Sequence, residues 1–526
     1  MREVPLPQTP HPVLAGCHPD PTVCRVGDRF VLVTSSFGYW PGLPVHVSED
    51  LVHWVQVGHV LTREGEIDLD RLDLSDGVWA PTVRYHDGVL YVVFTVARGR
   101  RGSETYLCTA TDPAGPWSPP VQLDARGIDP ALFFDVDGSC WCTGSRESED
   151  PVATGPGEIW LRELDLQLLQ LVGPEHVLWH GAVRGAWVEG PRLFRRDGRY
   201  HLIAAEGGTG RNHAVTAASA PSVTGPWTTN PRSPLLTHRH LGASAHVQNV
   251  GHADLVATAA GQTWALVLGV RTIDGVHTLG REVFLAPVVW DETGPVFAPG
   301  VGALRAVGAP QRDPVEAAPS TGLLDWVSLR GPVGHAVEGT THVLRPRPDP
   351  LASCGRPGLV GRRQDAHTFA FEATVDATAL TEQSAGLVAM QHQDAWVAIR
   401  LRRQDEAVLA EVTLRSDGET TVVSATSVDG AVRLRIDSDR RAYRLGTLDA
   451  TGKFAVHAVL SHVLLSTEHV GGFLGVLLAL TAQGREDLDP VVFSVVDYRR
   501  QPTSAESPGA VSLTGTGTPL EAPRAS

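Results

Sequence analysis

The sequence predicts an all-β protein, a five-bladed β-propeller followed by a β-sandwich. Three observations carry this expectation. A hairpin motif recurs five times before residue 270. Beyond residue 323, apolar and polar residues alternate with a period of two, as half-buried strands require. Between the strand-like segments there is no amphipathic helix long enough to build an α/β barrel.

The first copy of the hairpin runs from His18-Pro-Asp-Pro to Val33, and the second from Trp79-Ala-Pro-Thr to Phe94. The third spans Ile128-Asp-Pro-Ala to Trp141, the fourth Val188-Glu-Gly-Pro to Ile203. A weaker fifth runs from Gly251-His-Ala-Asp to Leu266. Each joins a short strand, through a turn usually centred on Asp and Gly, to an apolar and aromatic strand. Their starts lie 49 to 63 residues apart, which leaves room for further strands and for turn markers such as Gly115-Pro-Trp and Gly225-Pro-Trp. Four strands per unit, copied five times, is the signature of a propeller. A sandwich has no need of the same hairpin five times.

The 526 residues correspond to two to four domains. Eleven of the 13 tryptophans precede residue 300, and residues 301–322 are rich in Ala, Pro and Gly without periodicity. These shifts place the propeller at residues 1–305, a linker at 306–322, a sandwich at 323–503 and a flexible tail at 504–526. In the second region, His367 to Val375, Ala395 to Arg402 and Ala431 to Asp437 alternate strictly, and Ala407 to Leu414 does so more loosely. Phe473 to Leu480 is a continuous apolar run, read as one strand buried on both faces. Turns at Asp417-Gly and Asp429-Gly separate the earlier strands, the pattern of a sandwich.

A net charge of −15 argues against nucleic acid or an anionic membrane as partner, since both demand clustered cations. No basic segment followed by an apolar run opens the chain, and no stretch of about 18 apolar residues exists for a membrane helix. The six cysteines (Cys17, Cys24, Cys108, Cys140, Cys142 and Cys354) lack zinc-ligand spacing. They read as buried, reduced thiols, and a cytoplasmic location is expected. Association into a homo-oligomer is left open.

In a propeller the innermost strand of each blade lines the central channel, so the repeat alignment predicts which residues converge there. Just before the first strands lie Asp20, Ala80, Asp129, Glu189 and His252. Three carboxylates at equivalent points repel one another and raise one another's pKa, so their crowding needs a cause. A bound cation such as calcium is one. Acid–base catalysis, which uses the repulsion to keep one carboxyl protonated, is the other. Composition does not choose between them. Other motifs are bland: Asp135-Val-Asp-Gly reads as a hairpin turn, and Gly207-Gly-Thr-Gly-Arg lacks the Lys-Ser/Thr of a phosphate loop.

Asp20 in His-Pro-Asp-Pro, Asp129 in Gly-Ile-Asp-Pro and Glu189 in Val-Glu-Gly-Pro resemble the signature set of glycoside hydrolase family 43. Phe37 with Trp40-Pro-Gly, Asp50-Leu-Val-His-Trp, Trp79-Ala-Pro-Thr, Ala205-Glu-Gly-Gly-Thr, Val250-Gly-His-Ala-Asp and Leu279-Gly-Arg-Glu extend the likeness. Pro357-Gly-Leu-Val and Gly471-Gly-Phe-Leu resemble the lectin-like, jelly-roll sandwich of that family's β-xylosidases, although the sequence between them is Ala/Val/Arg-rich and departs from the pattern. The resemblance implies that Asp20 is the general base, Glu189 the general acid and Asp129 the residue that raises and orients Glu189. It further implies that Arg281 holds sugar hydroxyls, that Phe37, Trp79 and Thr209 form the pocket wall, and that the anomeric configuration inverts. His252 would lie beneath the site as a candidate calcium ligand, with no cofactor otherwise required.

The expected activity is exo-hydrolysis of terminal β-D-xylosyl units from small oligosaccharides, with α-L-arabinofuranosidase or a bifunctional enzyme as the near alternative. A non-catalytic glycan-binding protein is a more distant reading, and so is an enzyme acting on fructans or mannosides, including by phosphorolysis.

Overall fold

A computed structural model describes residues 10–150, 153, 155–306 and 323–501. The expected tail and all but the first residue of the expected linker lie outside the described residues. Blade one comprises Thr22–Val26, Arg29–Val33, Gly42–Ser48 and Val55–Leu61; blade two Gly77–His86, Val89–Ala97, Ser103–Ala110 and Val121–Leu123. Blade three comprises Ile128–Phe134, Cys140–Glu147, Gly157–Asp165 and Gln170–Trp179; blade four Val188–Arg196, Arg199–Glu206, Ala214–Ala220 and Thr228–Thr229. Blade five is Val247–Ala257, Thr263–Arg271, Glu282–Asp291 and Gly294–Phe297. All ladders within the blades are antiparallel, and the five copies of the hairpin are the inner two strands of each blade.

The apolar pattern explains why the blades close into a ring. Successive side chains of a strand point to opposite faces, so a middle strand feeds two neighbouring interfaces. In Val89–Ala97, Val92, Phe94 and Val96 pack into the wedge against blade one, while Val93 packs into the wedge against blade three. Five such wedges exist, and the last joins Val256, Leu266 and Leu285 of blade five to Val23, Phe30 and Leu32 of blade one. Burying each such side chain is worth roughly 1.5–3 kcal/mol before chain entropy is charged.

The inner strands begin with β-bulges. In blade three the ladder pairs Ile128 with Ser145 and resumes at Ala131 with Thr143, leaving Asp129 and Pro130 opposite one residue. In blade four it pairs Glu189 with Ala205 and resumes at Arg192 with Ile203, so that Gly190 and Pro191 form the bulge. Glu189 is therefore equivalent to Ile128 and not to Asp129, one residue earlier than the repeat alignment placed it. The reason is steric. Gly190 holds the left-handed backbone place at φ +57°, and a Cβ there would come within 3.0 Å of the His252 ring. A glycine is required at the crowded axis, and the carboxylate comes from its neighbour.

The sandwich has a six-stranded sheet, in spatial order Leu359–Arg363, Leu477–Gln483, Ser384–His392, Ala395–Gln404, Ala407–Ser416 and Glu419–Val428. Facing it is a seven-stranded sheet that includes Thr368–Asp376 and Ala431–Asp439. Leu478, Leu480 and Ala482 point into the sandwich core, whereas Leu477 and Ala479 point at the propeller. Burial on both faces explains the continuous apolar run. The run was expected to be one strand from Phe473, but the strand starts at Leu477. Gly471 and Gly472, at φ +81° and +74°, turn the preceding segment toward the propeller instead, and Gly475 lies so close to Leu279 that a Cβ would reach 2.4 Å from its carbonyl oxygen. Ser328–Leu329 pairs with Tyr39–Trp40 of the propeller and welds the two domains. Among the described residues no helix is long and apolar enough to cross a membrane.

Candidate active site

Asp20, Asp129 and His252 all have left-handed backbones, φ +56°, +55° and +45°, at the mouth of the channel. Such φ values cost non-glycine residues of order 1–3 kcal/mol and persist only where the surrounding structure enforces them. Here blade packing enforces them, and the result is convergence. The Gly190 amide donates to Asp129 Oδ2 at 3.0 Å, and the Asp129 amide donates to Thr95 Oγ1 at 3.2 Å. His252 Nδ1 lies 3.7 Å from Asp20 Oδ1.

The three carboxyls are held in different protonation states. Burial by itself would raise Asp20, which is only 5% exposed. Arg281, donating from Nη1 to Oδ1 at 2.9 Å, outweighs that, with help from Ser35, whose hydroxyl donates to Oδ2 at 2.6 Å. Asp20 is thereby held below the ordinary carboxylate range, as an anion. Glu189, half-buried, is pushed the other way, up to about 8, by desolvation and by the charges of Asp129 and Asp20. Asp129 is also raised, by burial and then by Asp20, while Arg192 and the Gly190 amide pull it back. Burial and mutual repulsion drive Asp129 and Glu189 toward the protonated form, while Asp20 stays ionised. The site thus presents an ionised carboxylate and a protonated one, the pairing that acid–base chemistry at neutral pH requires.

Around them stands an aromatic wall. Phe37 and Trp79 have ring centres 6.4 Å apart, and the third ring is Phe473, which the sandwich delivers 5.9 Å from Phe37 and 5.6 Å from Trp79. The Arg281 guanidinium lies over both phenylalanines, at 5.2 and 5.5 Å, and its Nη2 donates to the Phe473 carbonyl at 3.4 Å. Trp79 is fixed by an indole hydrogen bond to the Ser75 carbonyl, and the Ser75 hydroxyl accepts from the Phe473 amide. The loop carrying Ser75 is itself clamped. Asp73 accepts from Gln393 at 2.6 Å and contacts His392 at 2.9 Å, and Arg330 donates to Gln393 and to the Leu72 carbonyl. In the sequence, Phe473 stands in an apolar run and in the Gly471-Gly-Phe-Leu likeness, with nothing that assigns it to the pocket; the glycine pair before it was the available signal. Thr209 is half-buried on the loop after Glu206, and among the described residues no hydrogen bond ties it to the carboxylates.

Below the acids the channel is filled by charges that the repeat alignment overlooked. Asp254 accepts from Arg84 at 2.8 and 3.1 Å, from Thr22 at 2.8 Å and from the Val23 amide. Arg192, fully buried, lies 3.6 Å from Asp254 through Nε and donates to the Pro191 and Pro81 carbonyls. A charged residue inside an otherwise apolar inner strand, as Asp254 is, was the available signal. Arg192 Nη2 also lies 3.5 Å from His252 Nε2. A calcium ion takes six to eight oxygen ligands. Beside His252 the chain offers a guanidinium on one ring nitrogen and, on the other, a carboxylate already engaged by Arg281 and Ser35. Among the described residues no three His, Cys, Asp or Glu side chains could hold a metal. These residues do not fit a calcium ion at His252. Burial instead lowers the imidazole to about 3, so it stays neutral.

Residues 9–296 match the family model of glycosyl hydrolases family 43, and residues 321–499 match that of the β-xylosidase C-terminal concanavalin A-like domain. The chain is a family 43 glycoside hydrolase. The hydrolase is 34% identical over 496 residues to a xylosidase/arabinosidase of Butyrivibrio fibrisolvens, covering 90% of this chain and 95% of that one. It is 32% identical to a non-reducing end α-L-arabinofuranosidase of Bacteroides ovatus, covering 93% and 94%. The solved structure of a xylan β-1,4-xylosidase from Bacillus halodurans superposes with a TM-score of 0.85 at 30% identity, covering 94% of this chain and 99% of that one. As a glycoside hydrolase, the protein acts on glycosidic bonds of oligosaccharides.

Proposed function

We propose that the enzyme removes terminal β-D-xylosyl residues from the non-reducing end of xylo-oligosaccharides in a single inverting displacement. The observation that carries this reading is the split protonation of Asp20 and Glu189 beneath a pocket walled by Phe37, Trp79 and Phe473. The aromatic faces pack against the C–H surface of one sugar ring, and Arg281 and the acids meet its hydroxyls. Asp20 takes a proton from water as the water attacks the anomeric carbon. Glu189 gives its proton to the departing glycosidic oxygen, and Asp129 keeps that proton on Glu189 until the bond breaks. Inversion calls for the two carboxyls to stand roughly 6.5–9.5 Å apart, leaving room for the water. Xylobiose hydrolysis followed by NMR tests this: α-xylose should appear first, and no release of xylose would end the assignment.

A second reading, α-L-arabinofuranosidase alone or beside xylosidase activity, is supported by the names of the Bacteroides and Butyrivibrio relatives. Parallel kcat/KM values on the nitrophenyl xyloside and arabinofuranoside rank the two. Six unpaired cysteines, five of them buried, support action in a reducing cytoplasm. Finding the enzyme in the extracellular fraction of its native cells would refute that location.

A further inference from the structure

The sandwich covers only one side of the pocket. Its hydrogen bonds and ion pairs to the propeller fall on blades one, two and five and their flanking loops: Arg363 on Cys17, Gln393 on Asp73, Phe473 on Ser75, Glu468 on His277 and Arg441 on Asp274. Among the described residues none reaches blades three or four. The side of blades three and four is thus free of sandwich hydrogen bonds and ion pairs, which leaves room there for the remaining units of a substrate whose terminal sugar fills the pocket.

In that direction lies a groove of about 460 Å³, formed by residues 183–187, Glu206, Gly207, Asn212 and Arg239. It starts two residues from the general acid, and Val188, between Trp187 and Glu189, pairs with Glu206 on the floor. Trp187 lies against blade three, where a Cβ on Gly157 would come within 3.2 Å of its indole, and it remains half-exposed. Arg184 and Arg239 are exposed, and among the described residues neither side chain makes an ion pair or hydrogen bond. The carboxylate nearest to hand, Glu206, feels the charge of Arg239, but its oxygens are hydrogen-bonded elsewhere. It is 1% exposed, and its oxygens accept from the Ala182 and Val183 amides and the Thr216 hydroxyl. The groove thus combines an indole face, a side-chain amide and two guanidinium groups that form no ion pair or hydrogen bond among the described residues, in a protein whose net charge is −15.

We propose that this groove is a leaving-group subsite for a sugar that carries a carboxylate, a uronosyl residue attached to the xylo-oligosaccharide. The indole stacks on the ring, and Arg184 and Arg239 pair with the acid group, a geometry guanidinium forks favour. The inference rests on the proposed exo-xylosidase activity, so its test separates the two. The kcat/KM is measured on neutral xylotriose and on a xylo-oligosaccharide of equal backbone bearing a glucuronosyl branch outside the terminal unit. Turnover of the neutral substrate reports on the activity, and the acidic-to-neutral ratio reports on the groove. At low salt the ratio should be about three to ten for the native enzyme, the scale of two partly exposed ion pairs. It should fall to about one in the Arg184→Gln/Arg239→Gln variant and in 0.5 M salt, which screens exposed charges. A native ratio of one, or a variant that slows both substrates equally, overturns the proposal. Competition by inorganic phosphate that disappears in the variant while the ratio stays unchanged would assign the arginines to a free anion and overturn it too.

Discussion

Phe473 of the sandwich stacks on Phe37 of the first blade, with ring centres 5.9 Å apart and planes 27° from parallel. The pocket therefore belongs to both domains. Phe473→Ala should raise KM for xylobiose about tenfold or more while leaving the melting temperature within a few degrees, because the residue is only partly buried and the blades do not depend on it. An unchanged KM would show that the sandwich does not shape the terminal-sugar site.

Asp20 and Glu189, proposed as base and acid, should respond differently to the leaving group. Glu189→Gln should slow xylobiose by about 10²–10⁴-fold but a nitrophenyl xyloside far less, because nitrophenolate departs without a proton. Asp20→Asn should slow both substrates alike, since water activation is needed for each. Equal loss of the aryl substrate in both variants would contradict the division of roles.

Protonation sets the alkaline limit. Activity should fall as pH rises through about 8, where Glu189 loses its proton. Removing the neighbouring charge with Asp129→Asn lowers the pKa of Glu189, so the alkaline limb of kcat should move to lower pH. A pH profile identical to the native one would refute the modulating role. Stability carries the same signature. A carboxyl raised in the folded state contributes stability that is complete at pH values below its unfolded pKa and is lost as pH rises toward the folded one. Glu189→Gln does not titrate, so its melting temperature should exceed the native value by a few degrees near pH 8, and the difference should shrink toward pH 4. An excess that does not change with pH would contradict this.

Arg192 plugs the channel with charge. Arg192→Met should lower stability by about 3–5 kcal/mol, because it breaks a buried ionic network and leaves groups around it unpaired. The native enzyme should keep its full kcat after dialysis against a chelator, and added calcium should not increase it. Activation by calcium would overturn the fit argument made at His252.

The repeat and its aspartates were legible because both reflect local chemistry. A hairpin needs a turn dipeptide and alternating apolar residues, and an aspartate before a proline marks each channel mouth in blades one and three. Glu189 was legible as a residue but misplaced by one position, since the bulge register depends on Gly190 meeting His252 from another blade. Phe473 looked like one more residue of an apolar strand. Only contact with Ser75, Phe37 and Trp79, some 400 residues earlier in the chain, shows it as part of the pocket wall.

The sequence by itself determined an all-β chain of five repeated blades and a sandwich, with Asp20, Asp129 and Glu189 as its chemically distinctive acids. Periodicity and turn residues act over a few positions, so they can be read without a fold. Which acid carries the proton was decided by the tertiary structure alone. That depends on Arg281 reaching Asp20 across 261 residues and on burial beside Asp129, and the energies of charges in a low-dielectric site follow distance in space, not in sequence.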